Sequence, residues 1–208
     1  MSTLDTILEF MNRGGFVMWP LLLLSILTVS VVIERTVFWW RLDSRRGRAR
    51  YQRLVEAVGT TDATRVAALA ESDDSPFGGL ARRLPLTSSG LDESAAAVAA
   101  EEERPRIERG SLLLSTIVTA APMLGILGTV VGIIQAFELL GGDATITDPS
   151  EVSGGIAEAL ISTACGLVVA LVALFPYMAF RGRSERTLGR LEAFASALVA
   201  ASRRERGR

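Results

Sequence analysis

Apolar residues along this chain are gathered into three long runs separated by charged stretches. The first is FVMWPLLLLSILTVSVVI, Phe16 to Ile33, which continues past Glu34 and Arg35 into TVFWW. The second is SLLLSTIVTAAPMLGILGTVVGIIQAFELL, Ser111 to Leu140. The third is GGIAEALISTACGLVVALVALFPYMAF, Gly154 to Phe180. A helix crosses a bilayer with about 20 apolar residues, so the pattern predicts an all-α membrane protein with three transmembrane helices. At about 1.5 Å per residue the last two runs exceed the hydrocarbon thickness and are expected to project beyond it or tilt. A cleaved signal peptide fits the first run poorly, because its apolar part is too long and no small-x-small cleavage site follows.

The polar stretches divide the rest of the chain. Residues 1–15 open with Ser-x-x-Asp and place apolar side chains at Leu4, Ile7, Leu8 and Met11, ahead of Gly14 and Gly15. That spacing predicts a short amphipathic helix on the outer surface. Span one is taken as 16–40, a cytoplasmic helical region as 41–110, span two as 111–140, an outer loop as 141–153, span three as 154–180, and a cytoplasmic helical tail as 181–208. The 41–110 region reads as Ala-rich helices broken at DDSPFGG and LPLTSSG. From Leu91, LDESAAAVAAEEERPRIERG runs into span two with Pro105 as its only turn signal. One helix kinked at Pro105 is therefore expected to reach from the cytoplasm into the membrane, and the tail is expected to continue span three. With few aromatics, the cytoplasmic part is expected to extend the spans and pack against other subunits, without a large core of its own.

Charge then sets the orientation. The 208 residues are 49% hydrophobic with a formal net charge of −1, and the mean hydropathy is +0.35, too apolar for an ordinary soluble domain. All 22 basic residues are Arg; twelve fall between Arg41 and Arg109 and eight follow Phe180. The loop GGDATITDPSEVS has none, and carries Asp143, Asp148 and Glu151. The positive-inside rule puts the 41–110 region and the tail in the cytoplasm and the N-terminus and short loop outside. Trp19, Trp39 and Trp40 flank span one, where aromatic belts form. The chain has no His, which removes imidazole chemistry and the commonest zinc ligand. Cys165 is single, so no intrachain disulfide forms, and it reads as a packing residue. No nucleotide-binding Gly loop, paired-acid motif or nucleophile motif is present, so no enzyme, cofactor or metal site is expected. Arginines flanking a span answer to the membrane and imply no nucleic-acid partner.

Two polar features stand out within the spans. Span two carries Ala121, Gly125, Gly128 and Gly132 on one helical face; span three carries Gly155, Ala159, Ser162, Gly166 and Ala170 at similar spacing. Lipid gives little drive for helix association, so small-residue stripes mark packing faces, here assigned to a pore or subunit interface. Span one, with large aliphatic side chains, reads as lipid-facing. Glu158 is an acid within span three, where insertion costs a few kcal/mol and such residues face a cavity or a partner. A carboxyl held away from water can exchange a proton near neutral pH. Structural pairing with Arg, a headgroup position and a protonated, hydrogen-bonded state are the plainer readings of Glu158. Ser162 lies one turn on, while Thr163 points about 140° away. Thr129 is a further hydroxyl in span two. Each hydroxyl alone reads most simply as bonding to its own i−4 carbonyl.

APMLGILGTVVGII, followed by GIAEALISTACGLVVAL and preceded by GGFVMWPLLLLSILTVSVVIER and IERG, resembles the ExbB/TolQ/MotA proton-channel family, most closely its three-span ExbB/TolQ branch. The resemblance implies a ring-forming homo-oligomer, typically a pentamer, in the bacterial inner membrane, with spans two and three lining the pore. It implies an ExbD/TolR-like single-span partner in the pore, whose membrane aspartate passes protons inward. It also implies a TonB- or TolA-like periplasmic protein driven by the resulting motion. Carried over by motif, the proton-path positions are Thr129, Glu158 and Thr163. Where the family usually places Pro soon after the GL of span three, this chain has Val172, and Pro176 follows four residues later. A non-conducting scaffold oligomer is the alternative, and Glu158 with the two threonines is what divides the readings.

Overall fold

The computed structural model describes residues 11, 14–87, 91–141 and 149–206, with side-chain detail left aside at 139–141, 149–152 and 206. Among these residues every regular element is helical: α1 (Met18–Asp43), α2 (Arg45–Gly59), α3 (Ala63–Glu71), α4 (Pro76–Arg83), α5 (Glu93–Glu108), α6 (Ser111–Gly141) and α7 (Pro149–Arg206). Three of them, α1, α6 and α7, are long and apolar enough to cross a membrane. The 58 residues of α7 are more than twice what a crossing takes, so span three does continue as a long helix. The N-terminal amphipathic helix expected over 1–15 and most of the expected outer loop, 142–148, lie outside the described residues.

The chain forms two compact units, the first comprising Met1–Ile33 with Leu112–Met178. Pro20 falls in the first turn of α1, where a missing N–H costs nothing. Val17, Met18 and Leu21 pack with Ile117 and Ala121 of α6 and with Ala170 and Ala173 of α7. The opposite side of α1 exposes Leu22, Leu23, Ile26, Val29 and Ile33. Span one is therefore lipid-facing on one side only. Cys165 packs against the same cluster, as a small apolar residue would.

The second unit comprises Glu34–Ser111 and Ala179–Arg208. Its short helices start where the sequence provides a side-chain acceptor. Ser44 accepts the Gly47 amide at 3.1 Å, Asp62 that of Arg65 at 2.9 Å, and Ser75 that of Gly78 at 3.3 Å. Asp92 accepts that of Ala95 at 2.8 Å. These caps satisfy first-turn donors that the helix itself cannot. The Ala95 amide and the Ser94 hydroxyl hold the Asp92 carboxyl below its ordinary range. Phe77 sits 4.4 Å from the Tyr51 ring and 6.1 Å from Phe194, centre to centre. Leu54, Val66, Leu80, Leu191 and Leu198 of the same unit are buried as well. The region thus encloses buried apolar side chains within one chain, where no large core of its own was expected. Its buried alanines, Ala57, Ala70, Ala81, Ala100 and Ala201, explain how few aromatics suffice: small faces bring the helices close.

Two polar contacts fix the unit further. Glu103 is buried against Gly79, whose missing side chain admits the carboxylate, and Arg83 reaches it at 3.3 Å. Arg35, only 4% exposed, donates to the carbonyls of Arg106 and Ile107 at 3.2 and 3.3 Å, satisfying acceptors at the C-terminal end of α5. The expected continuous helix into span two is interrupted there. Helix continues through Pro105 but stops at Arg109, and Gly110 takes φ +78° before α6 begins. A proline removes one hydrogen bond, whereas a left-handed glycine ends the helix. Pro122 and Pro176 likewise lie inside unbroken helices.

Phe77→Ala should remove the centre of the aromatic trio and cost about 3–5 kcal/mol. Limited proteolysis of the full-length protein should then show faster cutting within 44–92, with α1 and α6 still protected.

Candidate functional site

The site begins with how closely α6 and α7 approach. A Cβ on Gly166 would stand 2.5 Å from the Ala121 carbonyl oxygen, and one on Gly125 3.0 Å from the Thr163 Cα. One on Gly132 would meet the Ala159 Cβ at 2.9 Å, and one on Gly155 the Ala136 Cβ at 3.4 Å. One on Gly128 would overlap the Ser162 hydroxyl. The two stripes therefore face each other inside one chain. Gly125, Gly128, Gly132, Ala159, Ser162 and Gly166 are buried in that seam, and Gly155 is half-buried at its end. The sequence reading placed these residues at a pore or subunit interface; the contact that the structure brings about is intrachain. Backbone-to-backbone packing of this kind is what small residues permit in lipid.

Close approach brings two hydroxyls together. The Oγ1 atoms of Thr129 and Thr163 are in direct hydrogen-bonding contact across the seam. Thr163 also reaches the Gly125 carbonyl at 2.9 Å, and Thr129 reaches the Ala159 carbonyl at 3.1 Å and its own i−4 carbonyl, Gly125, at 3.3 Å. Each hydroxyl has one proton and two lone pairs, so these four oxygens share two protons. The donors can be arranged in more than one way without moving a heavy atom. Back-bonding within the helix accounts for only one of these contacts; the others cross between α6 and α7. Ser162, 1% exposed, bonds most closely to the Ala159 carbonyl of its own helix at 2.8 Å and also reaches the Gly125 carbonyl across the seam at 3.4 Å.

Glu158 lies elsewhere on α7. It is five residues before Thr163, about 140° round the helix and about 7.5 Å nearer its N-terminus. Its half-buried carboxylate rests on Gly15, in the turn entering α1, where any side chain would overlap Oε1. Gly15 also has φ +70°, a conformation that disfavours other residues. The structure thus brings Thr129 and Thr163 together and leaves Glu158 apart from them. The role of Gly15 was not readable beforehand, since a Gly pair after an amphipathic segment signals only a helix end. The acceptors Gly125 O and Ala159 O are backbone atoms, which residue types do not announce.

Three apolar crossing helices and a polar seam define a multi-pass membrane protein with hydroxyl and carboxyl groups inside its spans. The pattern of the MotA/TolQ/ExbB proton channel family matches residues 80–193, more than half of the chain. This chain belongs to that family. It is 37% identical to the biopolymer transport protein ExbB-like 1 of Synechocystis over 178 residues, 81% of this chain and 68% of that protein. It is 27% identical to the biopolymer transport protein exbB1 of Vibrio cholerae, across 91% of this chain and 85% of that one. Over 100 residues, 47% of this chain and 42% of the relative, it is 40% identical to the Tol-Pal system protein TolQ of Pseudomonas aeruginosa.

Gly166→Ala should destabilise the protein by about 1–3 kcal/mol, because the Ala121 carbonyl that the methyl meets is backbone and cannot rotate away. Gly189→Ala, with open space around its Cβ position, should instead be neutral or stabilise by about 0.5–1 kcal/mol. Thermal unfolding of the two variants in the same detergent checks the contrast.

Proposed function

We propose that this chain is a proton-channel subunit that converts the proton motive force into mechanical work. It acts in the bacterial inner membrane as a ring, in the family manner a pentamer, with its N-terminus periplasmic and its C-terminus cytoplasmic. An ExbD/TolR-like single-span protein occupies the pore, and the motion drives a TonB- or TolA-like periplasmic partner. The observation that carries this reading is the Thr129–Thr163 hydroxyl pair, bonded across the seam of two apolar helices and free to exchange its donors. Under the proposed orientation Glu158 lies nearer the outside than the pair, so it takes up the proton first. The hydroxyl pair then passes it inward by reversing its hydrogen bonds. Because Glu158 and the pair sit on different faces of α7, one chain does not complete the path. The carboxylate of the pore partner, or a neighbouring copy, supplies the link, which agrees with a channel built from more than one polypeptide.

The complex with its single-span partner, reconstituted in vesicles, is the system for the test. Proton uptake under an imposed potential should fall about 100-fold in Glu158→Ala and about ten-fold in Thr163→Val. The ring and the bound partner should persist in both. A correctly assembled Glu158→Ala complex that conducts and drives its partner at full rate would remove Glu158 from the path. Wild-type complex that moves no protons would leave the scaffold reading standing.

A further inference from the structure

The corner between α1 and α2 carries arginines that neither the fold nor the proton path uses. A hollow of about 690 Å³ opens there, lined by Arg41, Arg45, Arg46, Arg50 and Arg53 with the ring of Trp40. All five guanidinium side chains are exposed, and Trp40 is 73% exposed. Arg50 has one carboxylate at hand, Asp73 at 3.7 Å. Among the described residues no carboxylate lies within ion-pair reach of Arg41, Arg45, Arg46 or Arg53. Elsewhere in the same unit Arg83, Arg104, Arg106 and Arg109 all have carboxylate partners.

The placement of these cations also works against the fold. Arg45, Arg46 and Arg48 occupy the first turn of α2, which has no acidic residue. The helix dipole presents positive charge at that end, so cations there are unfavourably placed. Concentrating them in a first turn goes beyond orienting the chain, because the positive-inside rule counts charges without regard to the helix end they occupy. An anion in the hollow would be attracted by the guanidinium groups and by that helix end alike, offsetting the repulsion between them.

The position in the chain names the anion. The apolar part of α1 ends at Trp39–Trp40, and Trp40 follows Trp19 by 21 residues, about one bilayer crossing. The hollow therefore begins where the chain leaves the apolar layer, at headgroup level on the arginine-rich side. We propose that the α1–α2 corner binds the phosphate headgroup of an anionic phospholipid of that leaflet. The guanidinium groups hold the phosphate, the first turn of α2 adds its dipole, and the Trp40 ring lies along the glycerol and upper acyl chains. This site is independent of the proton path.

Full-length protein in mild detergent is offered dioctanoyl phosphatidylglycerol or dioctanoyl phosphatidylcholine, and bound lipid is counted by native mass spectrometry. Phosphatidylglycerol should bind in preference to phosphatidylcholine. The triple variant Arg41→Gln, Arg45→Gln, Arg46→Gln should weaken it by about ten-fold or more, and Arg45→Gln alone by about three-fold. The single change lies on an exposed first turn and leaves the core intact. Arg183→Gln, Arg186→Gln, Arg190→Gln, an equal charge change in the tail, should leave binding within about two-fold. Equal binding of the two lipids, or equal loss in both triple variants, would overturn the proposal. So would displacement of the lipid by excess inorganic phosphate, which would mark a site for free anions.

Discussion

The contact on which the first unit depends is the meeting of two backbones, at Gly166 against the Ala121 carbonyl and at Gly125 against Thr163. In lipid there is no hydrophobic gain in joining α6 to α7, because lipid tails are as apolar as leucine. Attraction has to come from dispersion and dipoles at short range, and those require that nothing stand between the helices. The large side chains of α6 and α7, such as Ile126, Val130, Leu167 and Leu171, accordingly point away from the seam and are exposed. The small residues thus both join the two helices and leave their bulky apolar side chains exposed on the far faces.

The same closeness creates the polar chemistry. A threonine hydroxyl reaches about one hydrogen-bond length beyond its own turn, so it normally satisfies itself on the i−4 carbonyl. Thr163 reaches the Gly125 carbonyl of the other helix because no Cβ on Gly125 pushes the helices apart. A bulkier residue at Gly125 or Gly166 would return each threonine to its own helix and separate the pair. Glycine spacing and hydroxyl chemistry are therefore one feature. Glu158 is held by a different glycine, Gly15, on another face of α7.

The crossing helices and the small-residue stripes were legible because each rests on residue type at a fixed spacing. The opposition of the two stripes was not, since a Gly face says that a helix packs closely without saying on what. The break before α6 was missed, because proline is the louder signal and only a kink at Pro105 was expected in one continuous helix. Yet Gly110, with φ +78°, is the residue that ends the helix. The core of the second unit was underestimated for a related reason. Buried alanines such as Ala57 and Ala81 carry little apolar area each, and their contribution appears only once Phe77, Tyr51 and Phe194 are seen to converge.

Arginine, the chain's only basic residue type, separates into two populations by environment. Arg35 is buried and spends its donors on the carbonyls of Arg106 and Ile107, beside the Phe38 ring at 4.5 Å. Arg83 and Arg106 are committed to Glu103. These residues hold α5 in place through planar, multi-donor geometry that a lysine would not reproduce. Among the described residues Arg41, Arg45, Arg46 and Arg53 of the α1–α2 corner have no carboxylate within reach, and Arg45 and Arg46 sit at a helix start that repels them. Natural sequences break a local rule where something outside the fold compensates. For exposed cations at the mouth of a membrane span, the membrane's own anions are the compensation nearest to hand.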